Sequence, residues 1–235
     1  MPLPQEVPNR VCYRFADLDL ARTALLVIDM QEAFIALGRV CATGARAIVG
    51  NINALMKAVR RYGTIVLTRH TMTAHGEYAL PRWQADMPRV RTMAPLFEAG
   101  TKPHAIDPRI DVAPADVVID KYRFSALTRN SSTLPEVLEA RSVNNVIVTG
   151  VAANCCCEST ARDASQLGFK TFFVSDSVAA VTAGEHEAAL LNMGMMFADV
   201  RSTREMLELV AKASSAEKGA TPPSDDGPQQ RMQHD

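Results

Sequence analysis

The sequence lacks the features that mark several large classes of protein. No apolar run approaches the roughly 20 residues that a membrane-spanning helix needs, and residues 1–10 contain proline and charge but no apolar stretch of a secretory leader. Neither sign of charge dominates, since 25 lysines and arginines stand against 26 aspartates and glutamates. This balance gives no electrostatic reason to expect a nucleic acid or a membrane as a partner.

Cysteine is also scarce, with five in 235 residues, and three of the five are consecutive. That spacing is not a disulfide framework, so we expect a reducing, cytoplasmic environment. No internal repeat is visible, and the near-average apolar content predicts one globular domain over residues 1–213. Residues 214–235 are rich in Ser, Pro, Gly, Gln and Asp, a composition that predicts a disordered tail.

Short apolar runs recur along the chain, and stretches with helical spacing of apolar residues separate them. Runs of this kind are typical of strands buried on both faces of a sheet. They predict strands at 24–29, 64–68, 116–120, 146–148, 171–174 and 197–200. Helical spacing predicts helices at 42–62, 134–138, 158–167, 184–196 and 202–210. The alternation predicts an α/β protein with a parallel sheet.

One long connection, 71–114, shows no regular pattern and contains six prolines. Connections of this length are unusual inside a compact domain, and they commonly serve as lids, binding loops or subunit contacts. The sequence does not choose between a lid and a subunit contact. A turn is also predicted to begin at Asp176, directly after the fifth strand.

The most informative stretch is 146–164, VIVTGVAANCCCESTARDA. Three cysteines, Cys155, Cys156 and Cys157, stand where a buried strand gives way to a helix. A helix N-terminus lowers the pKa of a thiol, and open α/β sheets place their sites beyond the carboxyl ends of strands. A buried cysteine can also be a simple apolar filler. The position favours a reactive cysteine with a lowered pKa.

The segment GVAANCCCESTARDA resembles the nucleophile segment of the isochorismatase-like cysteine hydrolases. That superfamily includes nicotinamidases, N-carbamoylsarcosine amidohydrolase and ureidoacrylate amidohydrolase. Its members share a Gly, a small apolar turn, a Cys six residues after the Gly, and Thr-Ala-x-Asp-Ala. Counting from Gly150 selects Cys156 as the nucleophile. The resemblance also implies a cis peptide between Val151 and Ala152, and an oxyanion hole formed by the backbone N–H groups of Ala152 and Cys156.

Two further segments carry the same resemblance. DMQEAF resembles the family's Asp-x-Gln-x-x-Phe, which implies that Asp29 is the proton-transfer carboxylate and that Phe34 is a pocket wall. Gln31 is expected to order the loop. The segment KYRFSA resembles Lys-x-x-x-Ser-Ala/Gly-Phe and implies that Lys121 is the third catalytic residue. Each has a simpler interpretation, because aspartates often cap turns and lysines are usually solvated.

The substrate pocket is less well defined. Six residues are its candidates: Gln31, Phe34, His70, Trp83, Arg123 and Asn154. Nicotinamidases carry an Asp and two His near the second strand to hold a metal, whereas this sequence has only His70 and His75 with no Asp-x-His. The ligand set is incomplete, so we expect neither a metal nor another cofactor. Arg123 could bind a substrate carboxylate or pair with Asp120.

The resemblance implies a three-layer α/β/α fold with a doubly wound six-stranded parallel sheet in the order 3-2-1-4-5-6. On that order the first and fourth strands are neighbours, so Asp29 and Cys156 meet at the topological switch point. A homo-dimer or homo-tetramer is expected.

The implied activity is an amidohydrolase that forms a thioester and releases ammonia. Asn154, CESTARDA and Lys-x-Arg-x-Ser resemble the ureidoacrylate branch, which favours a small acyclic amide or a ureido or carbamoyl substrate. The competing interpretations are a nicotinamidase-like amidase, an isochorismatase-type vinyl ether hydrolase and a non-catalytic binding protein of the same fold. A thiol-redox role is a further idea, which the lack of a Cys-x-x-Cys motif disfavours.

Overall fold

The computed structural model describes residues 14–35 and 44–219. Its strands are β1 (Thr23–Ile28), β2 (Thr64–His70), β3 (Val117–Lys121), β4 (Asn145–Val151), β5 (Lys170–Ala179) and β6 (Asp199–Arg201). Its helices are α1 (Glu32–Ile35), α2 (Val49–Val59), α3 (Arg82–Ala85), α4 (Pro88–Met93), α5 (Leu134–Ala140), α6 (Glu158–Gln166), α7 (Ala183–Asn192) and α8 (Thr203–Gly219). A 3₁₀ turn spans Ala94–Phe97, and π-helical turns span Ala153–Cys157 and Met193–Phe197.

The six strands form one parallel sheet in the order β3-β2-β1-β4-β5-β6, which confirms the predicted order. Strand β1 lies inside it, because Leu26 pairs with Val66 of β2 on one side and with Val148 of β4 on the other. All six residues of β1 are buried. An uninterrupted apolar strand is what a sheet covered on both faces requires.

Side chains of β1 alternate between two cores, because successive residues of a strand point to opposite faces. Leu25 and Val27 belong to the core beneath α2 and α8, whereas Leu26 and Ile28 belong to the core beneath α5, α6 and α7. The sheet is therefore the middle of three layers, as predicted. None of the described helices is long and apolar enough to cross a membrane.

Strand β5 continues to Ala179, past its predicted end at 174, so the turn predicted at Asp176 is wrong. The pairing of β4 with β5 shifts register between Val148 and Gly150, which lets the longer strand stay in the sheet. The Asp176 carboxylate accepts hydrogen bonds from the backbone N–H (2.6 Å) and hydroxyl (2.7 Å) of Thr203 at the start of α8. This contact with a residue far along the chain explains why the charged Asp176 can lie in the middle of β5.

Several other boundaries also differ from the prediction. Helix α8 extends beyond 210 to Gly219, so the first residues of the predicted tail are helical, and 220–235 lie outside the described residues. Helix α2 is shorter than 42–62, with its predicted start at 42–43 outside the description. Helix α7 stops at Asn192, and β6 begins only at Asp199. The connection 71–114 holds α3, α4 and the 3₁₀ turn.

Candidate active site

Three candidate catalytic residues stand at the carboxyl ends of three strands. Asp29 directly follows β1, Lys121 is the last residue of β3, and Cys156 lies in the π-helical turn after β4. The carboxyl ends of parallel strands share one edge of the sheet, and ligands of open α/β sheets bind there. Between β1 and β3 lies β2, whose last residue, His70, pairs in register with Lys121. The fold therefore brings all four side chains to one place.

Lys121 is fully buried at the centre of this group. Its Nζ lies 2.7 Å from Asp29 Oδ2, 3.1 Å from the carbonyl oxygen of Arg123, 3.3 Å from Cys156 Sγ and 3.3 Å from His70 Nδ1. Burial alone would lower the pKa of Lys121, but its attraction to Asp29 and Cys156 outweighs burial and leaves that pKa above the usual lysine value. Lys121 is therefore a fixed ammonium at neutral pH.

Asp29 is held from two sides. Its Oδ1 accepts a 2.6 Å hydrogen bond from the Thr68 hydroxyl, and its Oδ2 faces the Lys121 ammonium. Its backbone has a φ of 52°, in the left-handed region that few residues other than glycine adopt, and its N–H donates to Thr68 Oγ1 at 3.1 Å. Sequence reasoning missed Thr68, although a polar residue near the end of the neighbouring strand was an available signal.

The three cysteines have different environments. Cys156 is 6% exposed, Cys157 is fully buried in the core, and Cys155 is half-buried. The peptide bond between Val151 and Ala152 is cis, as the resemblance implies. The Thr160 hydroxyl donates to the Cys156 carbonyl at 2.7 Å. Of the three thiols, only Cys156 contacts the Lys121 ammonium in the described structure.

The resting Cys156 thiol keeps its proton. Its hydrogen bond with Cys155 and its burial raise the pKa of Cys156 well above the usual thiol value, and the nearby Lys121 only partly offsets this rise. The expectation of a lowered pKa is therefore wrong for Cys156, because the hydrogen bond with Cys155 and then burial act against its thiolate. The same hydrogen bond lowers the pKa of the neighbouring Cys155. A thiol in the state of Cys156 needs a base before it can act as a nucleophile.

His70 is buried and neutral. Burial, followed by repulsion from Lys121, lowers the pKa of His70 to about 3. Gln31 fixes its backbone, because Gln31 Oε1 accepts from the His70 N–H at 2.8 Å and Gln31 Nε2 donates to the carbonyls of His70 (3.1 Å) and His104 (2.8 Å). Gln31 thus orders the loops around the site and does not face the reacting groups.

A cleft of about 380 Å³ opens beside this cluster, between α6 and the residues after β3. Its lining includes His70, Arg123, Phe124, Ser125, Ser159 and Arg162. The Phe124 ring is 44% exposed and stacks on the His70 ring with 6.2 Å between centroids, while the Phe97 ring meets His70 edge-on at 5.4 Å. The imidazole is therefore held between two aromatic rings at the wall of the cleft.

Arg123 does not pair with Asp120. Its Nη1 donates to the backbone carbonyls of Tyr78 (2.9 Å) and Tyr122 (2.8 Å), whereas Asp120 forms its ion pair with Arg69 at 2.7 Å. Within residues 14–35 and 44–216, no carboxylate lies within ion-pair distance of the Arg123 guanidinium. Of the two roles that the sequence left open for Arg123, pairing with Asp120 is therefore excluded.

The remaining predicted pocket residues occupy different positions. Phe34 is buried and packs on Phe97 with 4.9 Å between ring centroids. Asn154 is exposed in the π-helical turn beside the cysteines. Trp83 is 68% exposed on α3 and does not line the cleft that contains His70.

Asp29, His70 and Cys156 also form a cluster whose possible ligand atoms all lie within 4.8 Å of one another. Such a set could hold a metal ion, but the Lys121 ammonium already contacts all three side chains. Two cations cannot occupy one position, so these residues do not fit a metal while Lys121 is in place. His75 is exposed and lies outside the cluster.

Comparison with known proteins agrees with this geometry. The family model described as the isochorismatase domain matches residues 23–205, most of the chain. The chain belongs to the isochorismatase family. Nicotinamidase 3 of Arabidopsis thaliana is 35% identical to this isochorismatase-family chain over 181 residues, 74% of the chain and 82% of that protein.

Two further isochorismatase-family comparisons cover more of the chain. The ureidoacrylate amidohydrolase RutB of Variovorax paradoxus is 26% identical over 233 residues, 91% of this chain and 90% of that protein. The crystal structure of a cysteine hydrolase from Pseudomonas syringae pv. phaseolicola 1448A superposes with a TM-score of 0.77 at 26% identity, over 87% of this chain and 99% of that one. The protein is therefore an isochorismatase-family hydrolase, and this family acts on small molecules.

Proposed function

We propose that this hydrolase is a cysteine amidohydrolase that cleaves the C–N bond of a small acyclic amide, or of a ureido or carbamoyl group, and releases ammonia. The observation that carries the proposal is the contact of one buried ammonium, Lys121 Nζ, with Asp29 Oδ2 at 2.7 Å and Cys156 Sγ at 3.3 Å. A nucleophile, a base and a cation in mutual contact are the parts that acyl transfer through a thiol requires.

In the proposed mechanism, Asp29 takes the thiol proton from Cys156, and the thiolate attacks the carbonyl carbon of the substrate. The backbone N–H groups of Ala152 and Cys156 stabilise the oxyanion. The C–N bond then breaks, and protonated Asp29 gives its proton to the departing nitrogen, which leaves as ammonia. Water, deprotonated by Asp29, hydrolyses the thioester and restores the thiol. Lys121 stabilises the thiolate and carboxylate charges throughout.

The ureido or carbamoyl class is favoured over the aromatic amide class by two features. The Lys-x-Arg-x-Ser sequence at Lys121 resembles the ureidoacrylate branch, and the sequence lacks the Asp-x-His metal ligands that nicotinamidases carry near the second strand. A nicotinamidase-like amidase is the second candidate, and the 35% identity to Nicotinamidase 3 favours it.

A vinyl ether hydrolase and a non-catalytic protein of this fold have less support. A vinyl ether hydrolase of the isochorismatase type does not need a cysteine nucleophile, whereas Cys156 lies against Lys121 here. A non-catalytic protein would be expected to have lost Asp29, Lys121 or Cys156. We also propose a cytoplasmic homo-dimer or homo-tetramer that uses no cofactor, and light scattering of the purified protein tests the oligomeric state.

The test is ammonia release from a panel of ureidoacrylate, N-carbamoyl amino acids, biuret, nicotinamide and simple aliphatic amides. Wild type is compared with Cys156→Ala and, as a matched control, with Cys157→Ala, which removes a neighbouring thiol that faces the core. We expect turnover to vanish only in Cys156→Ala. Equal turnover in wild type and Cys156→Ala would refute the thiol mechanism. The best substrate decides between the ureido and nicotinamide classes.

A further inference from the structure

The two ring nitrogens of His70 have different partners. Nδ1 lies 3.3 Å from Lys121 Nζ, and an ammonium offers only donors. Nδ1 must therefore present its lone pair to Lys121, because a proton on Nδ1 would point at the positive charge of the ammonium. Since the pKa of His70 is about 3, the ring carries one proton at neutral pH. That proton is on Nε2.

Lys121 does not depend on His70 for its position. The ammonium has three N–H groups, and it has three contacts besides His70, namely the Asp29 carboxylate, the Cys156 thiol and the Arg123 carbonyl. Lys121 thus fixes the protonation state of His70, while losing His70 would leave the ammonium with a full set of partners. The imidazole is therefore expected to act through its other ring nitrogen, Nε2.

Nε2 is the ring nitrogen without a hydrogen-bond partner within the described part of the chain. Of the side chains clustered around Lys121, His70 is the one that lines the cleft, although it is only 4% exposed. Phe124 and Phe97 hold the plane of the ring, so the direction of the Nε2–H bond is set before any substrate arrives. Arg123 lines the same cleft and adds a guanidinium with no carboxylate partner among these residues.

We propose that His70 is a specificity-determining residue whose Nε2–H binds a second oxygen of the substrate, a carboxylate or a second carbonyl adjoining the scissile amide. This inference rests on the proposed function and deepens it, because it names ureido acids and acylureas as the substrate class. The scissile carbonyl itself is not the acceptor, since the proposed mechanism assigns its oxygen to the backbone N–H groups of Ala152 and Cys156.

The test compares small ureas that carry a second oxygen-bearing group with one that lacks it. N-carbamoylglycine and biuret carry it, whereas ethylurea does not. His70→Phe keeps a ring between Phe97 and Phe124 but removes both nitrogens, and His70→Gln restores an N–H donor. We expect His70→Phe to lower kcat/KM for the oxygen-bearing substrates about tenfold more than for ethylurea, mainly through KM. His70→Gln recovers part of the loss.

A second readout does not require turnover. It follows alkylation by iodoacetamide at Cys156 itself, located by peptide mass spectrometry because the half-buried Cys155 is also open to the reagent, and a bound compound should slow it. We expect N-carbamoylglycine or biuret to protect wild type at lower concentrations than ethylurea, and His70→Phe to abolish that preference when protection is expressed relative to the alkylation rate of each free protein. Protection with the expected preference but no ammonia release would refute the proposed function and leave the role of His70 standing.

Three outcomes would overturn the inference. All three compounds could protect wild type equally, or His70→Phe could retain the preference. In the third outcome, His70→Phe would slow the alkylation of free Cys156 and lower turnover of every substrate equally, which would show that His70 only supports Lys121 and the thiol.

Discussion

Lys121 Nζ and Asp29 Oδ2 lie 2.7 Å apart, and both side chains are fully buried. Removing a charge from water costs several kcal/mol, and an opposite charge in contact recovers that cost only while both partners are present. Loss of either partner should therefore lower the stability of the fold as well as the activity.

Lys121→Met should destabilise the protein, because it leaves the Asp29 carboxylate buried without a cation. We expect the free energy of unfolding in urea to fall by about 3–5 kcal/mol and the activity to be lost. The double variant Asp29→Asn with Lys121→Met removes both charges, so it should regain most of the stability but no activity. A double variant as unstable as Lys121→Met alone would contradict this explanation.

Gly150 is predicted to be irreplaceable by alanine. Its φ is 109°, and an added Cβ would lie 2.0 Å from the carbonyl oxygen of Ile28, the residue before Asp29. We expect Gly150→Ala to cost more than about 4 kcal/mol or to prevent folding. Gly184→Ala in α7 is the matched control, since an added Cβ there meets no atom within 4 Å. Circular dichroism during urea denaturation measures both, and equal stability of the two variants would refute the prediction.

The pH dependence of stability should carry a contribution from His70. The pKa of His70 is about 3 in the folded protein and near 6.5 in the unfolded chain, so between these values the unfolded state binds more protons. The contribution of His70 to stability is therefore fully present above pH 6.5 and is lost as the pH drops towards 3. The loss from this residue is at most about 1.4 kcal/mol per pH unit. His70→Phe should flatten the slope, whereas the exposed His75→Gln should keep it.

Metal ions should not support the reaction. Because Lys121 contacts Asp29, His70 and Cys156, we expect activity to survive dialysis against a strong chelator. Lys121→Met frees all three ligands, so this variant should bind Zn²⁺ more tightly than wild type in competition with a chromophoric chelator. Loss of wild-type activity in chelator, restored by added Zn²⁺, would contradict the expectation.

The fold was largely predictable because its strands are local apolar runs and its helices follow local periodicity. The ALLVI run of β1 and the VIV run of β4 are buried on both faces, as strands in the middle of a covered sheet must be. The extension of β5 was not predictable in this way. It depends on the Asp176 carboxylate meeting Thr203 at the start of a later helix, a contact that local sequence does not encode.

The site was predictable only in part, for a similar reason. The motifs around Asp29, Lys121 and Cys156 name the groups, and strand order brings them to one edge. The position of Thr68 near the end of a strand was a signal, but distances across strands are not written in local sequence. Neither the hydrogen bond of Thr68 to Asp29 nor the contact of His70 with Lys121 could therefore be inferred. The raised pKa of Cys156 depends on its hydrogen bond with Cys155 and on the exclusion of water from the sulfur, and both arise only in the folded chain.

Strand β3 lies at the edge of the sheet, so the backbone segment that supplies Lys121 pairs with β2 alone. An edge strand has backbone hydrogen bonds to one neighbour instead of two, and elements of this kind open locally at a lower free energy than the centre of a sheet. Opening of β3 would take the ammonium away from Asp29 and Cys156 while β1 and β4 remain paired. In a urea titration, activity should disappear before the secondary structure does, because the chemistry depends on a residue of an edge strand.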